Sequence, residues 1–107
     1  MSAIEDFLTT VGKGASGLAK DEILNFFNWA ADEGNEFTKK QKAKLNRYIL
    51  QLAAGEITPK QFQSNIDDLK TLTEMQILKM KIAEKAAAQR LVDGIQNLII
   101  DNLLKFL

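Results

Sequence analysis

The chain contains neither histidine nor cysteine, so its chemically able side chains are carboxylates, lysines and hydroxyls. Losing histidine removes the commonest general base, zinc ligand and pH switch together. Losing cysteine removes disulfides, thiolate metal sites and the strongest neutral-pH nucleophile. Only Ser–Lys or carboxylate schemes remain, and no spacing supports one. Glu5-Asp6, Asp21-Glu22, Asp32-Glu33 and Asp67-Asp68 are neighbouring carboxylates, but adjacent helical positions point about 100° apart and do not share a site. Gly12-Lys13-Gly14-Ala15-Ser16-Gly17 lacks the spacing of a phosphate loop, which also needs a preceding strand. No carboxylate spacing fits a calcium loop. The expectation is a chain without catalytic residues, metal or cofactor, and not an enzyme.

Recognition chemistry is better represented. Lys39, Lys40, Lys42, Lys44 and Arg47 form the tightest basic cluster and are the candidate anion or nucleic-acid patch. The chain has no net charge, so no global field draws it to nucleic acid or an anionic membrane. The charges are nevertheless blocked. Residues 1–37 hold an excess of acids, and residues 38–60 hold six bases against Glu56. Such blocks favour contact between the first third of the chain and its middle, within one chain or between chains. Four of the five bases fall in the first half of their helix, where the dipole disfavours cations, which asks for a reason other than helix stability. Leu45 to Leu69 has a helix-turn-helix outline, but Asp67 and Asp68 on its second helix would repel phosphates.

The C-terminal stretch from Ile95 to Leu107 is the most apolar part of the chain. Its apolar residues cover more than one narrow stripe, and such a helix needs burial on more than one side. A helix over 73–106 would run roughly 50 Å, whereas a compact domain of this size is roughly 35 Å across. Either the helix bends back at Gly94 or its end projects. A projecting end predicts self-association through Ile95, Leu98, Ile99, Leu103 and Phe106, as a dimer or small ring. Membrane-surface attachment through residues 95–107 is a further alternative, but only Lys105 supplies the cationic face that such helices usually carry. Phe26, Phe27 and Trp29 read as core, and Met75 and Met80 as packing residues.

The elements that must position these groups are helices. Sustained period-two alternation is absent, while apolar steps of three and four recur between helix punctuation. Ser2 with Glu5, Thr38 with Gln41 and Thr58-Pro59 with Gln61 are capping-box patterns. Phe37 occupies a hydrophobic-staple position, and Gly34 and Gly55 suit helix ends. The glycines at 12, 14 and 17 mark a break or a close-packing site. Thr71 with Glu74 suggests a kink or restart near 70–74, and a single uninterrupted helix through 59–106 is the competing reading. These signals predict helices over 2–17, 20–33, 38–54, 59–70 and about 73–106. The fold class is all-α: one compact domain, a bundle of four to five helices on a long C-terminal helix. At 107 residues and 46% hydrophobic, a single core suffices. No apolar run is long enough to span a bilayer. The first residues do not read as a signal peptide, leaving the cytoplasm as the default expectation.

Overall fold

A computed structural model describes residues 3–13, 17–29 and 36–107, which contain helices and no strand. The helices are α1 (Ala3–Gly12), α2 (Lys20–Asn28), α3 (Glu36–Ala53), α4 (Pro59–Ile77) and α5 (Ile82–Gly94). The helical path of α5 continues through a π-helical turn at Ile95–Ile100 and then a closing 3₁₀ turn at Leu103–Phe106. The chain folds on itself into a body of 43 × 24 × 22 Å. α4 packs along both α3 and α5, α1 packs on α2 and α3, and α2 lies against the π-helical turn.

Local chemistry accounts for several boundaries. The Thr58 hydroxyl accepts from the Gln61 backbone N–H at 3.1 Å, and the Gln61 side chain accepts from the Thr58 N–H at 2.8 Å. With Pro59 at the first helical position, three exposed groups at the start of α4 are dealt with at once. At the end of α3, Gly55 has φ +75°, the left-handed conformation that glycine adopts without a Cβ penalty. Gly55 N–H bonds Leu52 O and Glu56 N–H bonds Gln51 O, the paired bonds that close a Schellman turn.

Other boundaries differ from the sequence expectation. α1 ends at Gly12, and Gly17 has φ +111°, so the glycine cluster is a break where it is described. Ser2, residues 14–16 and residues 30–35, including Gly34, lie outside the described residues. α3 begins at Glu36, which puts Thr38 and Gln41 inside the helix; both are buried there, not a capping box. Gln41 Nε2 has no hydrogen-bond partner among the described residues. α4 runs unbroken through 70–74. Thr73 is buried and its hydroxyl donates to Leu69 O at 2.8 Å, and the Lys70–Glu74 ion pair at 3.1 Å spans the same turn. The break comes instead at Leu78–Lys81, and the last helix starts at Ile82.

The C-terminal helix is neither projecting nor broken at Gly94. Leu91, Ile95, Ile99 and Leu103 are fully buried in the chain's own core. Their spacing is four residues throughout, and in a regular α-helix each such step overshoots a full turn by about 40°. The π-helical turn corrects this drift: Asp101 N–H bonds Gln96 O, five residues back, and the wider turn returns Ile99 and Leu103 to the side of Leu91 and Ile95. Asn102 then ties the end of the chain to the α1–α2 connection. Its Oδ1 accepts from Ala19 N–H at 2.9 Å and its Nδ2 donates to Gly17 O at 3.0 Å. Ile95, Ile99 and Leu103 are therefore core residues in the single chain, not a free self-association surface. Leu98 and Phe106 are half-buried.

Gly94 has ordinary helical angles, and its lack of a side chain serves packing. A Cβ there would overlap the ring of the buried Phe26. Gly94→Ala is expected to destabilise the fold by about 1–3 kcal/mol through overpacking, despite the better helix propensity of alanine. Urea denaturation checks this. Phe26→Leu in the same chain should make the alanine less costly, since the two changes act on one contact.

Candidate functional site

The basic cluster at the start of α3 does not form a single patch. Lys39, Lys40 and Arg47 are exposed and Lys44 is half-buried, but Lys42 is buried. Lys42 Nζ donates to Phe27 O at 2.7 Å and to Asn46 Oδ1 at 2.9 Å. Phe27 is in the last turn of α2, whose free carbonyls carry the negative end of the helix dipole. A lysine badly placed for its own helix is well placed for its neighbour. The same ammonium lies 5.8 Å from the centre of the Phe26 ring, within range of a cation–π contact. Arg47 lies over the Tyr48 ring at 5.7 Å. Lys42 is therefore withdrawn from the predicted anion patch, because tertiary packing uses it to close α2.

Burial pushes the Lys42 ammonium down from 10.5 to about 8, with the Arg90 charge adding to the effect. The unfolded chain then holds this proton more tightly than the native chain between pH 8 and 10.5. Native stability should rise with pH across that window, and the cost of the buried charge is complete below it. Lys42→Met keeps the aliphatic stem and removes the titration. Urea unfolding at several pH values should show a flatter profile for the variant than for the natural chain between pH 8 and 10.5. An identical slope would remove Lys42 as the source.

An open groove of about 730 Å³ lies between α2 and α5, lined by Glu22, Phe26, Arg90, Asp93, Gly94 and Leu98 among others. Its floor includes the Phe26–Gly94 contact. The Arg90 guanidinium lies over the Trp29 ring at 4.4 Å, where stacking holds it. The groove does not bring a nucleophile and a base together, and no group of three or more acidic residues that could hold a metal occurs among the described residues. Phe26 and Phe27 are core, and Trp29 packs against that core half-exposed.

The largest departure from the sequence reading is at the α4–α5 corner. Met75 is 58% exposed, Leu78 83% and Ile82 88%, with Leu72 next to them along α4 also exposed. Met75 is thus not an internal packing residue. Lone apolar side chains at the surface are ordinary, whereas several gathered at one place usually mark a contact surface. The intervening sequence Leu78-Lys79-Met80-Lys81 contains no glycine, proline or asparagine, so nothing in it announced a turn. The bend closes with short bonds from Lys79 N–H to Gln76 O and from Met80 N–H to Ile77 O.

This corner, the α2–α5 groove and the solvent-facing bases of α3 are surface features among the described residues that a partner could meet. No helix among the described residues is long and apolar enough to cross a membrane. Comparison of the chain with known protein families, with characterised proteins and with solved structures gives no match.

Proposed function

We propose that this chain is a non-catalytic interaction and assembly module that docks through its α4–α5 corner. The near-complete exposure of Leu78 and Ile82 beside Met75 carries the reading. Three large apolar side chains held in water lose the free energy their burial would supply, about 1.5–3 kcal/mol each when fully covered. A chain that encloses Leu91, Ile95, Ile99 and Leu103 of its C-terminal helix leaves these three open. The absence of histidine and cysteine and the groove's lack of convergent reactive groups also support a binding role over catalysis. The bases of α3 support nucleic-acid binding less well, because Lys42 is occupied inside the fold.

Self-association is the expected use of the corner, moved there from the buried C-terminal residues. Light scattering over a range of concentrations tests it. Samples of the natural chain refolded at rising concentration should show a rising share of dimer, and Leu78→Asp with Ile82→Asp should hold it monomeric. Because these side chains are exposed, the same variants should leave helicity unchanged and the melting temperature nearly so. A chain that stays monomeric into the high micromolar range, indifferent to both substitutions, would remove self-association as the use of the corner.

A further inference from the structure

The corner raises a second question: why the chain bends there at all. Residues 75–88 are mostly strong helix formers, and the bend itself has no residue that obliges it. Lys81, at the cap position of α5, offers no side-chain hydrogen bond to the first turn, so that turn starts without the help that Thr58 gives α4. The steps of the apolar residues also run across the bend. Leu72, Met75, Leu78, Ile82 and Ala86 are three or four apart, which would set them on one face of an uninterrupted helix. All five are exposed in the bent chain.

Resting on the docking reading above, we propose that the occupant of the corner is a second copy of this chain, and that the two copies exchange the segment from Ile82 to Leu107. In the exchanged form α4 and α5 run on as a single helix. The departing segment packs on the partner as it packs in the single chain. Leu91, Ile95, Ile99 and Leu103 enter the partner's core, and Gly94 receives the partner's phenylalanine. The contacts of the closed form outside the bend are thereby reused, which is why exchange of an identical element is a low-cost route to a dimer. Two things are gained. The backbone N–H groups of Lys81, Ile82 and Ala83, at the start of α5, acquire helical partners, and Met75, Leu78 and Ile82 of the two long helices can cover one another where these cross. The C-terminal helix would then assemble the protein through the very residues that seal the single chain.

The test is refolding of the full chain from denaturant at low and high concentration, followed by size-exclusion chromatography with light scattering. Refolding at high concentration should yield a dimer that persists on dilution, because separation requires residues 82–107 to leave a core. Ile82→Pro is the decisive variant. Lys81 already has ψ 153°, the extended conformation that a following proline prefers, and proline is welcome at the first position of α5. Inside an uninterrupted helix it removes a bond and clashes, so the dimer constant should fall by at least roughly a hundred-fold. Ile82→Ala removes the side chain but keeps the helix, and should retain dimer. Met80→Gly, which leaves α5 itself untouched, should also lower the dimer fraction and serves as the check if the proline variant folds poorly.

Three outcomes would overturn the exchange. A dimer that separates promptly on dilution and is weakened equally by Ile82→Ala and Ile82→Pro is a surface pairing, which leaves the docking corner standing. A monomer that floats with anionic phosphatidylglycerol vesicles, and loses this with Leu78→Asp, assigns the corner to lipid through Lys79 and Lys81; docking again survives. A monomer under every condition, without vesicle binding, removes both readings.

Discussion

The fold depends on burying one stripe of side chains at an awkward spacing. Leu91, Ile95, Ile99 and Leu103 recur every four residues, between the period of a regular α-helix and that of a wider one. A regular helix would carry the last of them well round from the first. A single π-helical turn absorbs the mismatch and brings all four into the core, in keeping with the local, single-turn use of this geometry. Deep enclosure of the tail requires other elements to come close. That closeness explains why residue 94 has no side chain under the Phe26 ring and why Asn102 bonds Gly17 and Ala19 just before α2.

Electrostatics is arranged around the same packing. Lys42 looks misplaced at the start of α3 until α2 is set beside it, when its ammonium meets a carbonyl in the last turn of that helix. The arrangement has a cost, since burial and Arg90 both disfavour the charge. The return is a hydrogen bond to a carbonyl that has no acceptor role inside its own helix. The acid-rich first third and base-rich middle of the chain are joined here by a lysine and a backbone dipole. Charge blocks in a sequence can thus reflect how helices cap one another as well as what they bind.

Set against this closed interior, the α4–α5 corner is the place where local preference and tertiary structure disagree. The residues favour a continuous helix, and the fold bends them. Sequences that fold to one structure usually agree across levels, and a local disagreement tends to fall where a chain does something besides fold. At this corner the disagreement coincides with the most exposed large apolar side chains in the described structure. Docking and segment exchange are two ways in which the same tension could be relieved.

The sequence by itself determined what short-range chemistry can determine: the all-helical class, the start of α4 at Thr58-Pro59 and the end of α3 at Gly55. Each is written in neighbours a few residues apart. It also showed which reactive side chains are missing. Only the tertiary structure decided the rest. It turned the Thr38–Gln41 pattern into buried helix interior, because α3 starts earlier than its cap signal. It placed the last break at Leu78–Lys81, where no glycine or proline marks it, and made Gly94 a packing contact. It also enclosed the C-terminal stripe, whose four-residue spacing fits neither ideal helix period until a wide turn is allowed. These outcomes depend on what lies across the core from each residue, and spacing along one chain does not encode that directly.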